Sequence, residues 1–381
     1  MALVAGCATQ TPGRGGAPEV APDLLTGERL FGSPVTLADE PGVDILAISP
    51  EMQAFVDDAV ETDDTQLATR FYRLFRALVR NGYFDSTYAA DRTLTAAETF
   101  EGKAGNCLSY TNMFVALARA AGLNALYQIV DVPPTWDADS GFLIRYTHIN
   151  VLIRGVRLDV ANGDSFTVDF NSVHPDPEYP RYVVSDDYAR SLYYANRSVA
   201  RVREGDVRDG FALLQRAIAI EPRNIDLWIN LGALYATQAD YDASIQSYFV
   251  ALGMDRNNKS AMSGLARSYQ NSGQPELAAP YIEQVRNYRD RNPYFHFALA
   301  QGAYEDGNYA KALEYIDRAI RRKRTNARFH FMKGLVQAQL GDTEAARKSF
   351  RRAQRYGDYR DLKLRYVQSL AGAGADVVHS G

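Results

Sequence analysis

The chain is poor in cysteine, with two in 381 residues, Cys7 and Cys107. Their spacing fits no zinc pattern, and no metal or other cofactor is expected. If Cys7 is modified, as argued below, no disulfide can form and Cys107 is a free thiol. No apolar run approaches 18 residues, so no transmembrane helix is expected. Excess charge is also missing: 42 Lys and Arg stand against 46 Asp and Glu, a net charge of −4. That weak acidity gives no electrostatic basis for a nucleic-acid partner or for a basic membrane patch. What remains is an ordinary globular composition, 46% hydrophobic and 23% charged, in a chain long enough for two domains.

The first residues read "MALVAGCATQTPGRGGAPEVAPD". "VAGC", Val4 to Cys7, resembles a bacterial lipobox, whose cysteine is lipidated and becomes the new N-terminus. Only six residues precede Cys7, too few for a basic n-region and an apolar h-region of roughly 7–15 residues. The expectation is therefore a lipoprotein signal whose start lies upstream, with a membrane partner reached through a lipid on Cys7. Ala8 follows the cysteine, and the absence of Asp there implies, by resemblance, the periplasmic face of the outer membrane. A coincidental cysteine in a cytoplasmic leader is the alternative. Residues 1–42 are read as lipobox and flexible Pro/Gly-rich linker.

Three helices are expected next. "ISPEMQAFVDDAV" offers Ser49 as N-cap and Pro50 at the first helical position. "DDTQLATRFYRLFRALVRNG" places Leu67, Phe71, Leu74, Phe75 and Leu78 at helical spacing and ends at Asn81-Gly82. "EGKAGNCLSYTNMFVALARAAG" starts a helix at the lone Cys107 and stops at Gly122. The period then changes to two. "ALYQIVDV", "GFLIRYTHINVLIRG", "VRLDVA" and "SFTVDF" read as strands, with Asn162-Gly163 as a turn. Residues 43–180 are thus an α+β domain of helices packed on an antiparallel sheet.

From about residue 191 the sequence repeats every 34 residues, in five gapless units: 191–224, 225–258, 259–292, 293–326 and 327–360. The eighth position is small: Ser198, Gly232, Ala266, Ala300, Gly334. The fifteenth, a turn position, is Gly205, Ala239, Gly273, Gly307 and Gly341. The twenty-seventh is Ala217, Ala251, Val285, Ala319 and Ala353. Trp228, Leu231, Gly232, Tyr235 and Tyr248 bring this close to the full tetratricopeptide consensus, and the array resembles an all-α tetratricopeptide (TPR) solenoid. "RDLKLRYVQSLAGAGA", within 361–381 and its lead-in, is expected to supply a capping helix.

Cys107 falls in the first turn of its helix, where partial positive charge and unpaired N–H groups favour a thiolate. Free cysteine usually just packs, so a partner is needed. His148, in "YTHINVLI", shares its strand face with Tyr146 and Asn150, while Leu143, Ile149, Val151 and Ile153 form the aliphatic face. A thiol nucleophile needs a base of that type. Asp169, in "SFTVDFN", is a carboxylate in an apolar strand, costly unless paired; an imidazole would satisfy it and fix the histidine tautomer.

A Gly-x-Cys at a helix start, followed by strands bearing His and then Asp, resembles the transglutaminase-like superfamily, a papain-like cysteine fold. "GNCLSYTNMFVALARAAGLNALYQIV" is similar to its nucleophile helix and following strand; "HINV" replaces the more usual His-Ala-Trp. The resemblance assigns nucleophile to Cys107, general base and acid to His148, and orienting carboxylate to Asp169. Asp159 is the alternative orienter, if a tight turn at Arg154-Gly155 places it diagonal to His148. His174, in a Pro-rich stretch, reads as structural.

Two functions follow. One is an envelope-anchored thiol enzyme, a hydrolase or acyltransferase acting on amide bonds, with TPR repeats recruiting a protein partner. The other is an inactive transglutaminase-like scaffold whose repeats bind proteins. The first-helix positions that line the inner face of the repeats include Arg267, Tyr294, Phe297, Gln301 and Tyr304. Lysine is absent from the fifth positions, so a carboxylate clamp is not expected. The aromatic face is expected either to hold a peptide or to touch the chain's own catalytic domain.

Overall fold

A computed structural model describes residues 22–35, 42–60, 66–84, 87–89, 92–132, 135–136, 143–144, 148–156, 165–170 and 179–357. Helices α2 (Pro50–Ala59) and α3 (Leu67–Arg80) come first, after a short α1 (Glu28–Phe31). Ser49 Oγ accepts from Met52 N at the start of α2, with Pro50 at its first position, so a side chain satisfies one otherwise unpaired helix N–H. Helix α3 buries Phe71, Leu74 and Leu78, the 3–4 stripe read from the sequence. The two-residue strands β1 (Thr87–Tyr88) and β2 (Ala104–Gly105) pair in parallel around α4 (Ala96–Gly102). Thr95 and Glu98 cap α4 reciprocally, a capping box.

Helix α5 (Cys107–Ala120) is buried on every face from Leu108 to Ala118, the mark of a central helix. Each large apolar side chain sealed there contributes about 1.5–3 kcal/mol. Beside it lies an antiparallel sheet in the order β7-β6-β3-β8, with β3 at Asn124–Val130, β6 at His148–Arg154, β7 at Ser165–Val168 and β8 at Arg181–Val184. Between β3 and β6, strands β4 (Thr135–Trp136) and β5 (Leu143–Ile144) form a separate hairpin.

Ten helices follow as five hairpins: α6 (Asp186–Arg203) with α7 (Val207–Ile220), α8 (Ile225–Thr237) with α9 (Tyr241–Met254), α10 (Lys259–Asn271) with α11 (Pro275–Arg291), α12 (Pro293–Glu305) with α13 (Tyr309–Arg322), and α14 (Ala327–Gln339) with α15 (Thr343–Tyr356). All five fifteenth-position residues, Ala239 included, have positive φ, which reverses the chain between the paired helices. A Cβ on Gly232 would sit 2.9 Å from the Tyr248 ring, and one on Gly334 2.5 Å from Phe350. A second device recurs at the fourth position of the repeat. Trp228 Nε1 donates to Pro222 O at 2.8 Å, and His296 and His330, at the same repeat position, bond by Nε2 to Asp290 O (3.0 Å) and Arg324 O (2.8 Å).

Several expectations are corrected. Residues 22–35 lie within the expected linker, yet they are folded onto the first two repeats. Tyr235 Oη donates to Leu24 O, Gln215 to Leu25 O, and Arg29 grips both oxygens of Asp240 at 2.9 Å. Apolar Leu24, Val35 and Phe31 outweigh the local Pro/Gly content by packing into the main core. The single strand expected over 141–155 is divided into β5 and β6. Strand β8 falls between the expected domain and the expected repeats, where no element was expected, and the first repeat helix begins at Asp186, capped by Ser185. Cys7, Asp159, His174, most of "VRLDVA", the Asn162-Gly163 turn and the C-terminal capping helix lie outside the described residues.

The main apolar core runs unbroken from the α2–α5 region through the first three repeats, whereas repeats four and five build their own. The division falls near α11, which carries Pro280 inside it. The β4–β5 hairpin meets α10 and α12, and Tyr179 packs edge-on against Tyr294 at 5.4 Å.

Candidate active site

The start of α5 is fixed by its flanking residues. Asn106 is the N-cap: its Oδ1 accepts from Ser109 N (3.1 Å) and its Nδ2 donates to Thr93 Oγ1 (2.6 Å). Ser109 Oγ accepts from Leu94 N (2.8 Å) and donates toward Arg92 O (3.2 Å). Gly105 has φ +146°, and a Cβ there would lie 2.6 Å from Ser109 Cβ. The glycine two residues before the cysteine is therefore required by close approach and by backbone conformation. This frame holds Cys107 at the first helical position, half-buried, beside the helix N–H groups that have no intrahelical acceptor.

His148 opens β6. Thr111 Oγ1, one turn into α5, donates to Ile149 O at 3.4 Å, tying the nucleophile helix to the histidine strand. Strands β6 and β7 pair directly, with Val151 opposite Val168. One step along, that register brings Asp169 beside Asn150 and diagonal to His148. Phe170 locks the end of β7 by packing on Phe84, Tyr110 and Phe114 at 5.1, 5.7 and 5.6 Å.

His148 Nε2 is 2.7 Å from Asp169 Oδ2, with the two side chains only 6% and 10% exposed. Burial by itself pushes the imidazole down. Its hydrogen bonds to Asp169 and to Cys107, with the charges of both, outweigh that and hold it up at about 9. At neutral pH His148 is thus an imidazolium that donates from Nε2 to Asp169, which leaves Nδ1 for the sulfur. The three residues singled out from the sequence come together around one ring. Strand β6 pairs with Ser165–Val168, and Asp159 lies outside the described residues.

Thr93 and Ser109 support the nucleophile without a clear mark in the sequence. Their signal is weak, since they act through a loop whose path the sequence does not specify. Asn150 was legible as a polar residue on the His148 face.

The TPR residues behave differently. Tyr294 packs on Tyr179 and accepts from Lys323 Nζ (2.7 Å). Phe297 stacks on Phe329 (5.0 Å), and Tyr304 packs on Tyr309 (5.3 Å). These rings pack within the chain itself. Arg267 is exposed and Gln301 half-buried.

Comparison with known families agrees with this architecture. Residues 53–151 match the transglutaminase-like superfamily. Residues 213–246 match one tetratricopeptide repeat family, and residues 263–327 and 297–361 match another. The chain carries a transglutaminase-like core domain followed by tetratricopeptide repeats. Similar solved structures include "MamA 41-end from Desulfovibrio magneticus RS-1", 18% identical, covering 45% of this chain and 96% of that one with a TM-score of 0.26. "Crystal structure of MamA protein" is 16% identical and covers 50% of this chain and 98% of its own, with a TM-score of 0.25. No curated protein matches the chain.

Proposed function

We propose that this chain is a cysteine-dependent acyl-transfer enzyme acting on amide bonds. The observation that carries the reading is the Cys107–His148–Asp169 array, with His148 held protonated between a carboxylate and the sulfur. The Cys107 thiolate attacks the amide carbonyl carbon, and the N–H groups at the start of α5, which have no intrahelical acceptor, face the developing oxyanion. The C–N bond then breaks, and the leaving amine takes its proton from His148. Water or a second amine gives a proton to His148 and attacks the thioester. The products are an acid or a new amide, and the thiolate is restored. Asp169 keeps the imidazole oriented throughout.

The test is the pH dependence of Cys107 alkylation by iodoacetamide in wild type and His148→Ala. Reactivity well below the ordinary thiol pKa of about 8.5, lost in His148→Ala, supports the proposal. An inert thiol, or one indifferent to His148, leaves a scaffold whose repeats mediate interaction. TPR and transglutaminase-like domains together suggest a protein-interaction role, and recruitment of a protein substrate is the form we favour. Anchoring through Cys7 in the cell envelope is a separate proposal resting on "VAGC"; a diacylglyceryl adduct sought by mass spectrometry decides it.

A further inference from the structure

We propose that Asn150 is a positioning residue for this site, holding the Asp169 carboxylate in the orientation that receives His148. This deepens the reading above and rests on it. Asn150 is 1% exposed, and its Nδ2 donates to Asp169 Oδ2 at 3.3 Å, the same oxygen that His148 Nε2 meets at 2.7 Å. An ionised carboxylate only accepts, so the Asn150 amide has one orientation here. Its Oδ1 then turns away from Asp169, buried and without a hydrogen-bond partner among the described residues.

That orphan oxygen bears on why the residue is there. A buried unpaired carbonyl is costly, whereas an apolar side chain of the same size would fill the space at no such cost. What asparagine adds is the N–H donor on Asp169. Two donors converging on one oxygen, from positions two apart on one strand face, fix that oxygen in space. Gln128 lies directly across the β3–β6 ladder from Asn150 and is 7% exposed. Its Oε1 is also buried, with no partner among the described residues, so Gln128 does not relieve Asn150 as the two amides stand. The titratable groups coupled to His148 are Asp169 from the end of β7 and Cys107 from α5; Asn150 adds a dipole to this set without adding charge.

The test compares Asn150→Leu, nearly isosteric and without the donor, with Asn150→Thr, which suits a strand but is too short to reach. Carboxyl ¹³C NMR follows Asp169, and iodoacetamide alkylation follows Cys107. Loss of a donor to a charged acceptor should raise the Asp169 midpoint by about one pH unit, roughly tenfold in proton affinity. The acid limb of Cys107 alkylation should move upward with it. An unmoved Asp169 midpoint in either folded variant, even with a lower Tm, overturns the assignment and leaves Asn150 a space-filling residue. Exchange of the Asn150 side-chain N–H₂ protons in the unmodified chain gives a check that needs no variant. Protection supports the bond, and fast exchange overturns it. If the unmodified chain lacks His148-dependent alkylation, the enzyme reading fails, and the two NMR measurements still decide Asn150 on their own.

Discussion

His148 Nε2 and Asp169 Oδ2 stand 2.7 Å apart, 21 residues apart in sequence, in side chains almost sealed from water. A charge pair in that setting is strong only while both partners are present, because either one alone would be a buried, uncompensated charge.

Asp169→Asn should therefore drop the His148 pKa from about 9 toward or below the ordinary value of about 6.5. The alkaline limb of Cys107 alkylation should fall with it. Histidine ¹⁵N NMR titration checks this, and an unchanged midpoint would mean that Asp169 is not the partner. There is a stability consequence. The folded-state pKa lies above the unfolded one, so the stabilising contribution is complete below about 6.5. It is lost as the pH rises toward about 9.

Gly105→Ala should cripple the nucleophile before it unfolds the domain. The new Cβ meets Ser109 Cβ at 2.6 Å at a φ of +146°, a combination that costs about 1–3 kcal/mol. Ser109 cannot yield without releasing Leu94 N and the Asn106 cap. Thermal melting should show a drop of several degrees, and Cys107 alkylation at neutral pH should slow by an order of magnitude or more. A variant with native reactivity would refute the cap-based account.

The last two repeats should weaken in acid. His296 and His330 are each buried with Nε2 on a backbone carbonyl and Nδ1 without a partner among the described residues. Burial pushes both imidazoles down, and nearby arginines and lysines add to it. Folded pKa values below the unfolded value mean that stability is complete above about 6.5 and is lost as pH falls below it. Melting curves from pH 7.5 to 5 should decline, and a His296→Leu, His330→Leu chain should be less stable at pH 7.5 but flatter across the range. Equal slopes would remove these histidines as the cause.

Arg29→Ala should loosen residues 22–35 from the repeats. The Arg29–Asp240 pair is partly exposed, at 29% and 19%, so its loss is worth only about 1 kcal/mol. Hydrogen exchange should rise in residues 22–35 and at Tyr235, with little change in α5. Protection unchanged in that segment would show that Leu24 and Phe31 hold it without the ion pair.

Legibility from sequence followed the range of the interaction. Ser49-Pro50, Asn81-Gly82 and the helix start at Cys107 were readable because capping is settled within a few residues. The positive-φ position of each repeat was readable for the same reason, repeated five times. Strand β8 was missed because it is only four residues long, with Tyr182 and Val183 exposed. Its pairing with β3 lies some 55 residues back. The folding of residues 22–35 onto Tyr235 and Asp240 was missed because a Pro/Gly-rich segment takes its order from a distant surface.

The sequence by itself determined which chemistry was available: one described thiol at a helix start, one histidine on a polar strand face, and a carboxylate further on, ahead of an array of helical hairpins. Each of those is local pattern, written in side-chain type and period. Tertiary structure alone decided that Asp169 faces His148, that Asn150 holds the same oxygen, and that Tyr294 packs on Tyr179. Those choices depend on strand register and on burial against distant residues. A shift of one residue in β7 would turn Asp169 to the opposite face, and no local pattern in the chain excludes that shift.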